Sequence, residues 1–155
     1  MVRAWAARIE TPLGPMNARG WDSLNILEFE ENPEATHDDP LAMRLQVELD
    51  EYFAGNRTEF TIPLAPRGTE FQHQLWRLIS AIPYGSTKTY GDLARELGDF
   101  QKTRAVGVAC GANPIAILVP CHRVISADGE LTGYAGGIER KQRLLEIESR
   151  QATLF

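Results

Sequence analysis

The densest group of reactive side chains is the run Pro120-Cys121-His122-Arg123-Val124. A thiolate is the nucleophilic form of cysteine, and cationic neighbours favour it, so the imidazole and guanidinium beside Cys121 predict a reactive thiol. Adjacent side chains of an extended segment point to opposite faces, so His122 can serve Cys121 only if the backbone turns or a water bridges them. The alternative is that Cys121 is a small packed side chain and His122 a surface imidazole.

The other soft ligands do not form a metal site by their spacing. The chain has two cysteines and three histidines: Cys110, Cys121, His37, His73 and His122. No pair has the spacing of a zinc knuckle or of zinc-binding histidines. We therefore expect no metal, and we expect Cys110 to be a packed side chain within a helix.

The segment around Cys121 lies in a back half that is mainly helical. Thr69 and Gln72 have capping-box spacing, and the apolar residues that follow predict a helix over 70–81. An apolar run over 115–119 is too short for a separate helix, and we expect it to be buried. The last helix is predicted over 138–149.

Two shorter helices are predicted between these elements. Thr89 opens the first, over 90–97, with a capping box to Asp92, and the second covers about 102–111. Two short helices joined by a tight turn that contains glycine are typical of a helix-turn-helix. The second helix has unusually small side chains, which favours either close approach to a partner or close packing inside the protein. It ends sharply before Pro114, because the residue before a proline avoids the helical region.

The front half is predicted to hold strands and one helix. Alternating or apolar segments predict strands over 2–9, 24–30 and 58–62. Proline and glycine predict a turn over 11–15, and helical spacing of apolar residues predicts a helix over 40–54.

Both ends of that helix carry capping signals. Asp39 is placed as its N-cap, Pro40 as its first residue, and Gly55 just past its end. The proline-containing segment 63–68 predicts a linker, which divides the chain into domains over 1–66 and 67–155.

Composition limits the class of protein. The 155 residues are 43% hydrophobic and 24% charged, which suits a globular protein with a real core. The net charge of −5 argues against a general polyanion binder, although the front half is acidic and the back half mildly basic. No apolar run is long enough to span a membrane and the N-terminus lacks an apolar leader, so we expect a cytoplasmic protein.

The segment Pro120–Ile125 resembles the active-site signature of the O6-alkylguanine-DNA alkyltransferases, also called methylated-DNA–protein-cysteine methyltransferases. The resemblance extends over 68–150 through further residues in the family's order and spacing: Arg104-Ala105-Val106-Gly107, Asn113-Pro114, Gly133-Tyr134, Gly136-Gly137, Lys141, Leu144-Leu145 and Glu148. The front half fits more weakly, through Thr11-Pro12-Leu13-Gly14. The implied fold is α+β, with a ribonuclease-like antiparallel sheet and helix, then a mainly helical domain with a winged helix-turn-helix-like DNA-binding motif.

The resemblance implies a suicide enzyme without a cofactor, which moves an alkyl group from O6-alkylguanine in DNA onto Cys121. The implied catalytic residues are Cys121, His122, Glu148, Asn113 and Tyr90. His122 would take the thiol proton through a water, and Glu148 would orient His122. Asn113 would tie the turn to the active-site segment, and the Tyr90 hydroxyl would donate to the guanine ring.

The resemblance also implies that a monomer binds double-stranded DNA in the minor groove and rotates the damaged base out of the helix. The implied DNA-binding residues are Arg104, Ala105, Gly107, Gly111, Ala112 and Thr89, with Arg104 filling the space left in the base stack. The implied substrate-binding residues are Tyr90, Val124, Tyr134, Ala135, Gly136 and Lys141.

This chain departs from the family pattern in places. Alanine stands at 112, where many relatives have a basic residue, and at 135, where others often have serine. The front half lacks the cysteines that some relatives use for zinc. Two other functions remain possible from the residues: a non-catalytic helix-turn-helix DNA-binding protein, which needs no Cys121, and a cysteine hydrolase, which turns over.

Overall fold

The computed structural model describes residues 4–33, 39–129 and 133–154, with side chains up to residue 150. Residues 2 and 3 of the first predicted strand lie outside the described residues, as does His37. The chain divides into two units, Met1–Arg67 and Gly68–Phe155. Within the described residues, no helix has the length and apolar character needed to cross a bilayer.

The first unit contains a three-stranded antiparallel sheet in chain order: β1 (Ala4–Ile9), β2 (Met16–Trp21) and β3 (Ser23–Phe29). The predicted turn forms between β1 and β2, where the Gly14 amide donates to the Thr11 carbonyl over 3.1 Å. As the alternation of β1 predicts, Trp5, Ala7 and Ile9 are all buried.

The strand β2 was not predicted from the sequence. Arg19 and Trp21 are exposed, whereas Gly20 between them is buried. A large aromatic residue outside and a glycine inside do not give the alternation of apolar and polar residues that predicts a strand. Gly20 is needed here because a Cβ would lie 2.7 Å from the Trp5 ring and 1.8 Å from the Ser23 carbonyl oxygen. The strand is therefore defined by packing against its neighbours.

The helix α1 (Pro40–Phe53) contacts β1 and begins as predicted. The Asp39 side chain caps it by accepting from the Leu41 amide over 2.9 Å, and Pro40 occupies the first turn. Gly55 follows its end with a φ of 82°, in the left-handed region that favours glycine. The buried face consists of Ala42, Leu45, Glu48, Leu49 and Tyr52.

The prediction of a strand over 58–62 is wrong. The pairing to β3 lies further along the chain, where the Leu24 amide donates to the Pro63 carbonyl and the Ala65 amide to the Leu24 carbonyl. Residues 58–62 are held by a side chain instead of a ladder, since buried Glu48 accepts from the Thr61 amide over 2.8 Å and from the Thr61 hydroxyl.

We expect Glu48→Gln to lower the free energy of unfolding by about 1–3 kcal/mol. Burial alone would raise the pKa of Glu48, but the bonds from Thr61 and the charges of Arg57 and Arg44 outweigh it and lower that pKa. This stabilisation is present above the ordinary carboxyl pKa and is lost as the pH falls below it. Urea unfolding at neutral and acidic pH measures it, with Glu51→Gln, a more exposed partner of Arg57, as the control. Equal losses in both variants would contradict a special role for Glu48.

The second unit is mainly helical, with one small parallel sheet. Its elements are α2 (Glu70–Ser80), β4 (Lys88–Thr89), α3 (Tyr90–Glu96), a 3₁₀ turn (Phe100–Lys102), α4 (Thr103–Gly111), a second 3₁₀ turn (Cys121–Arg123), β5 (Val124–Ile125) and α5 (Ile138–Leu154). The last helix extends beyond its predicted end at 149. Residues 115–119 are not helical, and four of the five are buried, as expected of the apolar run.

The predicted helix-turn-helix is formed by α3, the first 3₁₀ turn and α4. Both predicted capping boxes are confirmed: the Thr69 side chain accepts from the Gln72 amide, and the Thr89 side chain accepts from the Asp92 amide. The Phe100 ring fixes the turn against α3, because a Cβ on Gly91 would lie 2.8 Å from it.

The parallel pairing of β4 with β5 was not predicted, since strands of two residues have no periodicity to detect. Lys88 pairs with Val124 and Thr89 with Ile125. Tyr90 follows β4 directly and the second 3₁₀ turn precedes β5 directly, so this pairing joins the start of α3 to the segment that carries Cys121.

Candidate active site

Cys121 begins the second 3₁₀ turn and is buried. The preceding segment contains a strained residue, Ile117, whose φ of 71° is one that a β-branched side chain rarely adopts. Backbone strain of this kind costs roughly 1–3 kcal/mol and persists only where the surroundings enforce it.

Asn113 supplies that enforcement. Its side-chain nitrogen donates to the Ile115 carbonyl over 3.1 Å and to the Val119 carbonyl over 2.9 Å, and its oxygen accepts from the Ile115 amide over 3.0 Å. These bonds lie on both sides of Ile117. Asn113 therefore joins the end of α4 to the segment that presents Cys121.

His122 and Glu148 are brought together by the fold although 26 residues separate them in the chain. The His122 Nε2 and Glu148 Oε2 atoms are 2.7 Å apart, and both side chains are buried. Among the described residues, the His122 Nδ1 atom has no hydrogen-bond partner and is also buried. The sequence alternative of a surface imidazole is thus wrong.

Glu148 is held by a second partner, Arg123. The Arg123 Nε and Nη2 atoms donate to the two Glu148 oxygens over 2.8 and 3.0 Å, and Nη1 donates to the Ile82 carbonyl over 2.8 Å. A buried bidentate pair of this kind fixes both side chains in one geometry.

The charges of this network set the pKa values. Burial alone would raise the pKa of Glu148, but the hydrogen bonds and charges of His122 and Arg123 lower it to about 2. Burial lowers the pKa of His122, although the bond to Glu148 partly restores it. At neutral pH the imidazole is therefore neutral and Glu148 is ionised.

The expectation that His122 and Arg123 favour a Cys121 thiolate is wrong. Both side chains are engaged with Glu148, and burial raises the pKa of the Cys121 thiol well above its usual value. The thiol is therefore protonated in this state, and a base must take its proton when it reacts.

The second cysteine is also buried. Cys110 lies in the last turn of α4, and the prediction that it is packed is confirmed. Lys141 of α5 is buried as well, and its charge favours the ionised form of both thiols, while burial lowers the pKa of its own amine.

Tyr90 lies among small residues and Lys141. A Cβ on Gly107 would lie 4.0 Å from the Tyr90 ring, and a Cβ on Gly133 would lie 3.5 Å from its hydroxyl oxygen. The Lys141 Nζ atom is 5.9 Å from the centre of the ring. The glycines thus leave room on two sides of Tyr90.

The remaining predicted substrate residues are less closely grouped. Val124 is buried in β5. Burial raises the pKa of Tyr134, whose hydroxyl has no hydrogen-bond partner among the described residues. Ala135 is exposed and Gly136 half-buried, in a turn that follows residues outside the described part of the chain.

The two faces of α4 differ in exposure. Val106, Ala109 and Cys110 are buried, and the Trp76 indole nitrogen donates to the Ala109 carbonyl over 3.1 Å. The outer face consists of Arg104, Ala105, Val108, Gly111 and Ala112, all exposed. Of the other predicted DNA-binding residues, Gly107 and Thr89 are half-buried. Small side chains therefore allow α4 to pack closely against the protein on its inner face and leave few long side chains on its outer face.

In the described part of the chain, no three His, Cys, Asp or Glu side chains are grouped as a metal ion would require.

Known protein families match both halves of the chain. The model of the DNA-binding domain of 6-O-methylguanine DNA methyltransferase matches residues 70–150, and the model of the ribonuclease-like domain of the same family matches residues 9–66. The chain belongs to this family.

Curated relatives and solved structures agree. The methylated-DNA–protein-cysteine methyltransferase of Mycobacterium bovis is 49% identical, covering 95% of this chain and 96% of the relative. The Mycobacterium tuberculosis O6-methylguanine methyltransferase structure has a TM-score of 0.88 at 43% identity and covers 99% of both chains. A structure of Mycobacterium tuberculosis OGT in complex with DNA has a TM-score of 0.84 at 47% identity, covering 93% of this chain and 92% of that chain.

Membership in the methyltransferase family confirms the resemblance drawn from the residues around Cys121, and the α+β fold class is also confirmed. Sequence reasoning noted Arg123 as a neighbour of Cys121 but gave it no place in the site. The sequence did contain one signal for this role. An arginine that follows an apolar run is buried only if an acidic side chain pairs with it, and Glu148 is an acidic residue of the last predicted helix.

Proposed function

We propose that this methyltransferase-family chain repairs DNA directly by moving the alkyl group of O6-alkylguanine to the Cys121 sulfur. The observation that carries the proposal is the buried Cys121, followed directly by a His122–Glu148–Arg123 network, in a chain that belongs to this family. The sulfur–carbon bond forms as the carbon–O6 bond breaks, and the electron pair of the broken bond stays on guanine. The product is a thioether with no easy leaving group, so each molecule acts once.

The proton chemistry follows from the tautomer of His122. Glu148 accepts from Nε2, so Nδ1 carries the lone pair and is the available acceptor. A water between the two residues carries the thiol proton to Nδ1, because adjacent side chains do not face each other directly. Ionised Glu148 stabilises the imidazolium that results. The Tyr90 hydroxyl donates a proton to the guanine ring as it leaves. The imidazolium then gives its proton through solvent to the Tyr90 phenolate, which restores both residues.

The DNA contact is assigned to the outer face of α4. Its alanines and glycine allow the helix to enter the narrow minor groove, where longer side chains would not fit. Arg104, at the start of this face, fills the gap left when the damaged base rotates out. We assign the binding to a monomer and to duplex DNA without sequence preference, because groove and backbone contacts of this kind carry little base information.

The rival functions lack support of this kind. A non-catalytic DNA-binding protein has no use for a buried His122–Glu148 pair beside a thiol. A cysteine hydrolase has no support in the family match, because both matching models describe domains of a methyltransferase.

Intact-mass measurement after mixing the protein with duplex DNA that contains O6-methylguanine tests the proposal. We expect one added methyl group on each protein molecule, located on Cys121 by peptide mapping, and no further reaction with excess DNA. An unchanged mass would favour the DNA-binding alternative, and multiple turnovers would favour the hydrolase.

Arg104→Ala is expected to slow repair of a lesion in duplex DNA at least tenfold, while transfer from the free base O6-benzylguanine changes little. The free base needs no extrusion from a stack, so only the duplex reaction depends on a side chain that replaces the lost base. Arg77→Ala, an exposed arginine of α2, is the matched control. Equal losses on both substrates would rule out a role in extrusion.

A further inference from the structure

We propose that Tyr84 is a positioning residue for the alkyl transfer: its ring covers the guanidinium of Arg123, which holds Glu148 in place on His122. This inference deepens the proposed function and rests on it, because the position of Glu148 matters to the reaction only if His122 takes the thiol proton. The contact between the Tyr84 ring and Arg123 does not depend on the reaction.

A tight turn directs Tyr84 into the protein. The Ser86 amide donates to the Pro83 carbonyl over 3.0 Å, and Gly85, the third residue of the turn, has a φ of 82°. A β-turn of this type needs a positive φ at its third position, which glycine adopts without strain. Pro83, Gly85 and Ser86 are exposed, whereas Tyr84 is half-buried and its hydroxyl oxygen is buried. Tyr84 is therefore the turn residue whose side chain enters the second unit.

The same segment binds Arg123 in two ways. The Arg123 Nη1 atom donates to the Ile82 carbonyl over 2.8 Å, and the Arg123 Cζ atom lies over the Tyr84 ring, 5.7 Å from its centre. A cation within about 6 Å of the face of an aromatic ring is attracted to that face. The Ile82 amide donates to the Ile79 carbonyl over 3.0 Å in the last turn of α2, so the segment is itself anchored to a helix.

The contact with the ring complements the bonds from Arg123 to Glu148. All N–H groups of a guanidinium lie in its plane, so its faces donate no hydrogen bonds and stack well on aromatic rings. The Arg123 Nε and Nη2 atoms donate to the two Glu148 oxygens. The Tyr84 ring can thus keep water from one face of Arg123 without competing for these bonds. Arg123 is 7% exposed and Glu148 1% exposed, so the pair lies in a medium where its interactions are strong.

Loss of the ring should change the ionisation of His122. Burial is the largest influence on the pKa of His122 and lowers it. The charges that act on the imidazole are those of Glu148, Arg123 and Lys141. Replacing Tyr84 removes none of these charges, but it admits water beside the Arg123–Glu148 pair and so weakens the effect of burial. The pKa of His122 should then rise, and less of the imidazole is neutral and able to accept a proton as the pH falls.

The kinetic test compares Tyr84→Leu, which removes the flat ring, with Tyr84→Phe, which keeps it. We expect Tyr84→Leu to slow transfer from the free base O6-benzylguanine by about three- to tenfold near pH 6 and by less than about twofold near pH 9. Tyr84→Phe should keep the wild-type pH–rate profile. The free base removes DNA binding from the measurement. Tyr84→Met serves as a second variant without a ring, and circular dichroism verifies the fold of each protein.

A second measurement follows the contact without any substrate. We expect the Arg123 Nε proton to exchange slowly with water in the wild type and in Tyr84→Phe, and at least about tenfold faster in Tyr84→Leu, as read from its nitrogen–proton NMR signal. Phe71→Leu is the matched control, because it also removes a ring from beside a cation: the Lys102 Nζ atom lies 5.8 Å from the centre of the Phe71 ring.

Four outcomes would overturn the proposal. They are an equal loss of rate at every pH in Tyr84→Leu, an unchanged exchange rate of the Arg123 proton, the same effects in Phe71→Leu, or a Tyr84→Phe variant that behaves like Tyr84→Leu. If the wild type accepts no alkyl group but the Arg123 proton responds as expected, the proposed function fails and the positioning role fails with it, while the contact between Tyr84 and Arg123 stands.

Discussion

Cys121→Ser is expected to abolish alkyl transfer while binding to duplex DNA persists. A serine hydroxyl is a far weaker nucleophile toward saturated carbon than a thiolate, and far less of it than of a thiol is ionised at neutral pH. The surface assigned to DNA lies on the outer face of α4, so the substitution leaves it intact. Intact-mass analysis measures the transfer, and a gel-shift titration measures the binding.

Cys110→Ser provides the matched control for this substitution. Both cysteines are buried, so both substitutions place a hydroxyl inside the protein. We expect the Cys110 variant to retain most of its methyl-acceptor capacity under reducing conditions. A methyl group found on Cys110 by peptide mapping would refute the assignment of Cys121.

Glu148→Gln is expected to slow transfer at neutral pH by about tenfold for each 1.4 kcal/mol of transition-state stabilisation lost. The carboxylate raises the pKa of buried His122 against the effect of burial. Without its charge the imidazole is a weaker base, and the Cys121 thiol, whose pKa burial already raises, gives up its proton less readily. The rate of alkyl transfer should therefore begin to rise at a higher pH in the variant than in the wild type.

The pH–rate profiles of wild type, Glu148→Gln, His122→Ala and the double variant measure this effect. If Glu148 acts through His122, the double variant is little slower than His122→Ala alone. A wild-type profile in Glu148→Gln would mean that the carboxylate is only structural. Glu146→Gln, an exposed carboxylate on the same helix, is the control.

The same substitution changes the response of the fold to acid. The pKa of Glu148 is about 2 in the folded protein, below its ordinary value of 4.5. Its contribution to stability is therefore complete above about pH 4.5 and is lost as the pH falls toward 2. Glu148→Gln should be less stable than wild type at neutral pH, because Arg123 keeps a buried charge without a charged partner. The difference in the free energy of unfolding between the two proteins should become smaller as the pH falls toward 2.

The helices could be predicted because their signals are local. The caps of α1, α2 and α3 depend on residues within three positions of each helix start, and the sequence displays them directly. The wrong strand over 58–62 had the right alternation, but the carboxylate of Glu48, at a distance in the chain, takes up the polar groups of Thr61. The strand pair β4–β5 depends wholly on tertiary contact.

Part of the candidate site could also be predicted from the sequence, and part of it could not. The reactive run around Cys121 could be found from residue types, and the family resemblance supplied Glu148 and Asn113. The ionisation of the site could not be found from neighbours in the sequence. Whether Arg123 faces the thiol or a carboxylate is decided by the packing of α5 against the Cys121 turn.

The two-residue pairing of β4 with β5 is a short connection between α3 and the segment that carries Cys121. Tyr90 follows one strand and Cys121–Arg123 precede the other, so a fluctuation that separates the strands loosens the start of α3 from that segment. Local openings of this kind occur with free energies well below that of global unfolding. We therefore expect the backbone amides bonded across the strand pair to exchange with deuterium at one shared rate, because they are exposed by the same opening.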